Sequence, residues 1–281
     1  MNRFSGRNAI VTGASRGIGA ALAERLAAEG ANVVVVARTV DQHDHLAGSL
    51  TETLQRSRRH GAKVEAVAAD LADPASRAGI VPRALEIFDG RIDILVNNAA
   101  AAIYMRTSEY PYKRQRIMFE VNVHAPIELA QGVIPGMVAQ GEGWILNVSS
   151  ASAKHAAGPP FRTEGVATSI GIYGSTKAAL NRMTNALAVE LYGTGVRVNT
   201  VEPRSAVMSE GAEALVGDIV KDDQIESMEA MVEGAIALCD CPPEHTGRVE
   251  VSLDVLDRFG ITVMTLDGAG PYPGGQRVAA K

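Results

Sequence analysis

The chain of 281 residues lacks most of the features that mark secreted, membrane-spanning or nucleic-acid-binding proteins. It has only two cysteines, Cys239 and Cys241. Because a single residue separates them, a disulfide between them would do little to stabilise the fold, so we expect a reducing compartment. The start MNRFSGRNAI has no apolar signal-peptide core, and no later run approaches membrane-spanning length. A formal net charge of -5 argues against general binding to nucleic acids or anionic membranes. We therefore expect a cytoplasmic protein.

Internal repeats, low-complexity tracts and long linkers are also lacking, which favours one domain over residues 1–281. Short apolar runs instead alternate with amphipathic helical segments along the chain: NAIVTG, ANVVVVAR, VEAVAAD, IDILVNNA, GWILNVSS, VRVNTVEP and GRVEVSLD. Nearly continuous apolar strands are typical of a sheet that helices cover on both faces. The pattern predicts a doubly wound α/β fold with a parallel sheet, in which ligands bind at the carboxyl ends of the strands.

Three segments outside this alternation have predicted roles. Residues 151–172 and 204–225 are predicted to form substrate loops, because both follow strand ends at the edge where ligands bind. Residues 255–281 form a C-terminal extension with one further predicted strand and a Gly/Pro-rich end.

The stretch TGASRGIG lies between the first predicted strand, which ends at Thr12, and a helix that begins near Ile18. Backbone N–H groups and the helix dipole at such a turn favour a phosphate. Gly13 is expected to supply the tight turn, while Gly17 and Gly19 let a pyrophosphate and the neighbouring strand come close. The spacing GxxxGxG differs from the usual GxGxxG, and a purely structural turn is the alternative interpretation.

Four motifs in this order resemble the short-chain dehydrogenase/reductase family, in its single-domain branch with a Rossmann-like fold: TGASRGIG, NNAA, NVSS and YGSTK. The similarity runs from about Asn8 to Asp254. It implies an oxidoreductase that transfers a hydride reversibly between a nicotinamide cofactor and a carbonyl group, as a ketoreductase or alcohol dehydrogenase, and that forms a homotetramer or homodimer. The positions that it assigns to cofactor binding are Gly13, Ser15, Arg16, Gly17, Ile18, Gly19, Arg38, Asp70, Leu71, Asn97, Asn98, Ala99, Tyr173, Lys177 and Pro203.

The end of the second strand predicts which cofactor binds. A carboxylate there bonds the ribose 2′-hydroxyl of NAD, whereas an arginine accommodates a 2′-phosphate. Here Ala37 takes the carboxylate position, Arg38 follows it, and Arg16 resembles the second basic residue of NADP-preferring relatives. Because guanidinium and phosphate form charge-assisted bonds, we predict NADP(H) over NAD(H). The alternative is that both arginines are solvated surface charges.

Two further segments resemble cofactor contacts of the family. Asp70 resembles the aspartate that bonds the adenine amino group, with Leu71 supplying a neighbouring backbone contact; alternatively, Asp70 caps the following helix. The motif NNAA, which begins at Asn97, resembles the family's NNAG, where the chain runs under the cofactor. Alanine in place of the last glycine is a small departure.

Tyr173 and Lys177 lie four residues apart at the start of a predicted helix, so their side chains share a face. A lysine ammonium about 4 Å away would lower the tyrosine pKa from about 10 by roughly three units, near the working pH. A chance pair at this spacing is common in helices, but Ser150 and Asn122 complete the family's catalytic set.

The resemblance gives each member of this set a role. Tyr173 donates the proton, and Lys177 holds the nicotinamide ribose and lowers the tyrosine pKa. Ser150 stabilises the charge that develops on the carbonyl oxygen, with Ser149 as the competing choice. Asn122 resembles the asparagine that kinks a helix and holds a water that leads protons to the lysine.

The segment VEPRSAVMSEG departs from the family pattern. Arg204 stands where the family has glycine, and Met208 lies near the position of a threonine that contacts the nicotinamide carboxamide. Backbone groups, Ser205 or Ser209 are the alternatives for that contact.

The predicted substrate loops carry an apolar set of side chains, which favours a hydrophobic ketone such as a cyclic, terpenoid or steroid-like one; the set is Tyr104, Met105, Phe161 and Met208. These residues could equally belong to the core.

Three rival functions are compatible with parts of the sequence. A 3-oxoacyl carrier-protein reductase would need a basic patch for its acidic carrier, which the acidic net charge disfavours. A catalytically silent NADP-binding protein would be expected to lose part of the catalytic set, which is complete here. A metal site in CDCPPEH would need a fourth ligand beside Cys239, Cys241 and His245.

Overall fold

The structure, a computed structural model, describes residues 2–41, 47–217 and 225–275. In these ranges the strands are β1 (Asn8–Thr12), β2 (Asn32–Ala37), β3 (Val64–Ala68), β4 (Ile94–Asn97), β5 (Gly143–Val148), β6 (Val196–Glu202), β7 (Ala206–Val207), β8 (Ile225–Glu226) and β9 (Val249–Val251). The helices are α1 (Gly17–Ala28), α2 (Leu50–Arg58), α3 (Pro74–Arg77), α4 (Ile80–Ile87), α5 (Tyr112–Phe119), α6 (Ala125–Gln140), α7 (Gly171–Glu190), α8 (Glu210–Val216), α9 (Met228–Leu238) and α10 (Ser252–Phe259).

Seven strands form one parallel sheet in the order β3-β2-β1-β4-β5-β6-β9, and β7 pairs with β8 in a separate parallel pair. Each predicted apolar run contributes one strand of the large sheet. The chain winds outward in one direction from β1 and in the other from β4, so the topological switch point lies between these two strands. The predicted doubly wound Rossmann-like fold is therefore confirmed, and its ligand crevice lies beyond the carboxyl ends of β1 and β4.

The core consists of two apolar layers, one on each face of the sheet. In β2, Val33 and Val35 contribute to the layer beneath α1 and α9, while Val34 and Val36 contribute to the layer beneath α4 and α6. Because successive side chains of a strand point to opposite faces, the run of four valines supplies both layers. This two-sided burial explains why the strands are apolar throughout instead of alternating with polar residues.

The helix ends carry residues that satisfy free backbone groups. The Ser49 hydroxyl accepts a hydrogen bond from the Glu52 N–H at the start of α2, and the Asp73 carboxylate accepts one from the Ala75 N–H at the start of α3. Helix α6 ends at Gly141, whose φ of +72° lies in the left-handed region that favours glycine. These capping residues determine where α2 and α3 begin and where α6 ends.

The C-terminal extension differs from its prediction. The segment after β9 forms α10, and the further predicted strand is reduced to a single antiparallel bridge between Met264 and Pro271. Residues 218–224 of the predicted loop 204–225 and residues 276–281 of the extension lie outside the described residues. In the ranges that the structure covers, no helix is both long enough and apolar enough to cross a bilayer.

Candidate active site

The carboxyl edge of the parallel sheet brings the predicted site residues together. Parallel strands place all their carboxyl ends on one side of a sheet, and six of the seven strands of the large sheet are followed by a predicted contact. These residues are Gly13 after β1, Arg38 after β2, Asp70 after β3, Asn98 after β4, Ser150 after β5 and Pro203 after β6.

The turn between β1 and α1 needs glycine at two positions for internal packing. Gly13 has a φ of +66°, and a Cβ there would lie 2.7 Å from the Ala99 Cα. A Cβ on Gly19 would lie 2.3 Å from the Gly13 carbonyl oxygen. Arg16 precedes α1 without capping it through its side chain, and the first turn of α1 carries no acidic residue. The N–H groups of this turn therefore suit an anion.

Gly17 differs from the other two glycines because it faces a loop. A Cβ on Gly17 would lie 2.8 Å from the Ser209 Cβ, and the Gly17 N–H donates a hydrogen bond of 3.0 Å to the Glu210 Oε2. The neighbouring positions Ser15 and Ile18 are buried and half-buried, and Ile18 packs against the core. No local sequence pattern marks Glu210, which lies 193 residues away from Gly17 in the chain.

The two predicted phosphate-binding arginines are in different environments. Arg38 is exposed and makes no hydrogen bond or ion pair within the described part of the chain. Arg16 donates two hydrogen bonds to main-chain carbonyls of the loop before α2, from Nε to Ala47 at 2.8 Å and from Nη2 to Gly48 at 3.1 Å. Two of the five guanidinium donors of Arg16 are thus occupied, whereas those of Arg38 have no acceptor among the described residues.

Asp70 lies half-buried at the end of β3, and its carboxylate accepts the Ala72 N–H at 2.9 Å. Leu71 beside it is buried. The cap of the following helix α3 is Asp73. The interpretation of Asp70 as a helix cap is therefore wrong, and its role at the adenine end stays a prediction.

The side chains of the NNAA motif hold strands and turn together. The buried Asn97 donates to the Asn147 Oδ1 at 2.9 Å, and Asn98 donates to the Thr12 carbonyl at 2.9 Å. The Ala99 N–H donates to the Thr12 hydroxyl at 3.1 Å. The Nδ2 donors of both amides are thus used within the protein, whereas the buried Asn97 Oδ1 has no partner among the described residues. The cofactor contacts of this motif stay a prediction.

Three predicted catalytic residues meet where β5 ends and α7 begins. Ser150 lies near enough to the Tyr173 phenol to lower its pKa, and the Ser150 hydroxyl itself pairs with the Ser152 N–H and hydroxyl. Ser149 is buried, and its hydroxyl has no hydrogen-bond partner among the described residues. The Lys177 Nζ lies 5.8 Å from the centroid of the Tyr173 ring and donates to the Val148 carbonyl at 2.8 Å. Of the two candidate serines, Ser150 is the one placed beside the tyrosine.

Asn122 lies in a π-helical turn, Glu120–His124, that joins α5 to α6, so the predicted helix irregularity is present. Its amide exchanges two hydrogen bonds with the main chain of Ala101, at 2.8 and 2.9 Å, and donates a third to the Thr176 hydroxyl at 3.0 Å. The predicted role of Asn122 in holding a water stays a prediction. The side-chain amide fastens the turn to α7 and to the segment after β4.

The sequence profile of the short chain dehydrogenases matches residues 7–215. The chain belongs to this family. Membership of this family supports an oxidoreductase that acts on CH–OH and C=O groups.

Individual relatives of this short chain dehydrogenase agree with the family assignment. Hydroxysteroid dehydrogenase-like protein 2 of Danio rerio is 31% identical over 265 residues, which cover 92% of this chain and 60% of the relative. The chain spans about three fifths of the length of the curated relatives that it matches first.

Matches to solved structures cover most of both chains. A crystal structure of a short chain dehydrogenase from Mycobacterium thermoresistibile has a TM-score of 0.79 and 28% identity, and the match covers 99% of this chain and 96% of that one. L-Sorbose reductase from Gluconobacter frateurii, complexed with NADPH and L-sorbose, has a TM-score of 0.74 and 28% identity, with coverages of 89% and 97%.

The pKa values in the dehydrogenase differ from the prediction. Burial raises the pKa of the Tyr173 phenol above its ordinary value, and the nearby Ser150 only partly offsets the rise. Burial also lowers the pKa of Lys177 to about 8. The predicted lowering of the tyrosine pKa by Lys177 is therefore wrong for this arrangement. The tyrosine pKa rises because burial of the phenol disfavours its charged form. The Lys177 ammonium meanwhile donates its hydrogen bond to the Val148 carbonyl.

The lowered pKa of Lys177 has a consequence for stability. From pH 8 to 10 the unfolded chain binds more protons at this lysine than the folded chain does, so stability rises with pH in this window. We expect the free energy of unfolding of the wild type, relative to Lys177→Met, to increase by about 2 kcal/mol over this range. Urea unfolding of both proteins without added cofactor measures it. Parallel pH profiles would contradict the lowered pKa.

The loop after β6, where the dehydrogenase departs from the family pattern, is organised by a buried carboxylate. Glu226 accepts the main-chain N–H groups of Arg204, at 2.7 Å, and of Ser205, together with the Ser252 hydroxyl. The Arg204 side chain pairs with Asp254. Burial raises the pKa of Glu226, and these hydrogen bonds partly offset the rise. This carboxylate, which no local sequence pattern marks either, shapes the loop after the half-buried Pro203.

The side chains predicted to line the substrate side of the dehydrogenase differ in burial. Tyr104 stacks in a tilted arrangement beside Tyr173, with ring centroids 5.7 Å apart. Met105 and Met208 are half-buried, and Phe161 is 58% exposed. Their place at the substrate mouth stays a prediction.

The CDCPPEH segment shows no sign of metal binding. Cys239 and Cys241 are buried free thiols, and burial raises the pKa of both, that of Cys241 to about 12. His245 contacts Glu250 and packs edge-on against Phe259. Within the described ranges, no group of three or more histidine, cysteine or acidic side chains could hold a metal ion.

Proposed function

We propose that this short chain dehydrogenase binds NADP(H) and reduces, reversibly, the carbonyl group of an apolar ketone or aldehyde. The observation that carries the proposal is the meeting of Ser150, Tyr173 and Lys177 at the carboxyl edge of the sheet, beside the glycine turn. A donor hydroxyl, a proton-bearing phenol and a buried cation at one edge match the needs of carbonyl reduction.

In the proposed mechanism the protein supplies the proton and the polar contacts. The bound reduced nicotinamide supplies the hydride for the carbonyl carbon. Tyr173 gives its proton to the carbonyl oxygen as the general acid. Ser150 donates a hydrogen bond to the same oxygen and stabilises its developing charge. Lys177 is positioned to bind the nicotinamide ribose and to return a proton toward the phenol.

The cofactor proposal is supported by the adenosine and phosphate ends of the crevice. The first turn of α1 presents N–H donors without a cap of its own, and Arg38 offers an exposed guanidinium without a partner in the described chain. These groups fit a pyrophosphate and a 2′-phosphate. Several similar structures, from Beutenbergia cavernae, Agrobacterium tumefaciens and Burkholderia cenocepacia, contain NADP.

The proposed substrate class is supported by the Tyr104 ring, which forms an aromatic wall beside Tyr173. The name of the Danio rerio relative also points to a steroid-like substrate, whereas L-sorbose reductase acts on a polar sugar. The test is to follow NADPH absorbance with cyclic ketones, steroids, acyl thioesters and L-sorbose. We expect turnover with the apolar ketones. Turnover restricted to L-sorbose or to thioesters would contradict the substrate class.

We further propose a homodimer or homotetramer that works in the cytoplasm. Apolar side chains are exposed on α5 and near the end of α7, namely Tyr112 and Val189. The two free, buried thiols suit a reducing compartment. Light scattering should give a molar mass of two or four chains; a monomer would contradict the oligomer.

A further inference from the structure

A carboxylate from α8 lies on the phosphate-binding end of α1. The Glu210 Oε2 accepts the Gly17 N–H at 3.0 Å, and the start of α8 is so close that a Cβ on Gly17 would lie 2.8 Å from the Ser209 Cβ. The Ser209 hydroxyl is itself engaged as the cap of α8, where it accepts the Ala212 N–H. The group that faces the turn is therefore the charged side chain of Glu210.

The position of this carboxylate follows from the electrostatics of α1. A helix N-terminus favours a negative charge, yet Arg16 does not cap α1 and its first turn has no acidic residue. Glu210 is an acceptor that reaches this end from another helix. A carboxylate and a phosphate use the same donors in the same way, so the two cannot both accept the Gly17 N–H.

The base of the same loop is held independently of Glu210. Strands β7 and β8 pair with each other, and Glu226 fixes the main chain of Arg204 before them. A displacement of α8 from Gly17 would therefore be absorbed between Val207 and Ser209. The segment that follows Pro203 would keep its place at the site.

We propose that Glu210 sets the affinity of this dehydrogenase for its dinucleotide by competing with the pyrophosphate for the Gly17 N–H. This inference rests on the proposed cofactor. Binding of NADP(H) displaces the Glu210 carboxylate and moves the start of α8 away from the glycine turn. Part of the binding free energy is spent on this displacement, so removal of the carboxylate tightens binding.

The test compares Glu210→Gln with Glu213→Gln, which removes an equal charge from an exposed position of the same helix. Titration with NADPH, followed by cofactor fluorescence, should give a Kd about two- to fivefold lower for Glu210→Gln than for the wild type. Glu213→Gln should match the wild type. Adenosine 2′-phosphate, which has no pyrophosphate, should bind equally to all three proteins.

Hydrogen exchange without cofactor provides a second measurement. The Gly17 amide should exchange faster in Glu210→Ala than in the wild type or in Glu213→Gln, because its acceptor is gone. Equal NADPH affinities, or equal tightening by Glu210→Gln and Glu213→Gln, would overturn the competition alone. Failure of the wild type and all variants to bind NADPH would instead overturn the proposed cofactor, and the competition with it.

Discussion

Replacing Tyr173 with phenylalanine is expected to lower kcat for carbonyl reduction by about 10²- to 10⁴-fold, the usual contribution of a general acid. The substitution removes one hydroxyl and keeps the ring that packs beside Tyr104. The Kd for NADPH should change little, because the phenol supplies the proton while most of the predicted cofactor contacts come from other residues. Steady-state kinetics and fluorescence titration measure the two quantities separately.

Tyr192→Phe is the matched control. This tyrosine follows the far end of α7 and is 77% exposed, so loss of its hydroxyl should leave kcat within about twofold. If Tyr173→Phe kept wild-type turnover, the assignment of Tyr173 as the acid would be wrong. If it lost NADPH binding as well as turnover, the phenol would have a larger role in holding the cofactor.

The second large effect concerns cofactor choice. Arg38→Asp should weaken NADPH binding and strengthen NADH binding, so that the ratio of the two dissociation constants shifts by about 100-fold or more. Loss of a charge-assisted bond to the 2′-phosphate weakens one cofactor, and a new acceptor for the ribose 2′-hydroxyl favours the other. Titrations with both cofactors at constant ionic strength give the ratio.

Arg83→Asp makes the same change of charge on α4, where the exposed arginine pairs with Glu86, and should leave the ratio near its wild-type value. Equal affinities of the wild type for NADPH and NADH would exclude a 2′-phosphate site at Arg38. An equal shift in both variants would show that net charge, and not the position of Arg38, controls the preference.

The sheet could be predicted from the sequence because burial on both faces leaves a simple pattern. The run of valines from Val33 to Val36 is apolar without interruption, and turn signals bound it. Strands β7 and β8 could not be predicted in this way. Each has two residues, and their pairing depends on contacts between distant parts of the chain, such as that of Arg204 with Glu226.

In the candidate site, too, local sequence patterns predict some features, and contacts between distant residues determine the others. The residues that follow strand ends, such as Ser150, could be placed from local patterns and the family resemblance. The titration of Tyr173 and Lys177 could not, because it depends on desolvation and on the acceptor that the Val148 carbonyl offers. Glu210 likewise gives no sequence signal, since its meaning comes only from its nearness to Gly17.

The clamp formed by β7, β8 and Glu226 has a consequence for how new specificities could arise. It pairs the chain just before and just after the interval between β7 and β8, by contacts that do not involve Glu210. Substitutions inside the interval would therefore leave Pro203 and Arg204 in place. Recognition of different reactants could then diversify through the interval while the segment that precedes it stays constant.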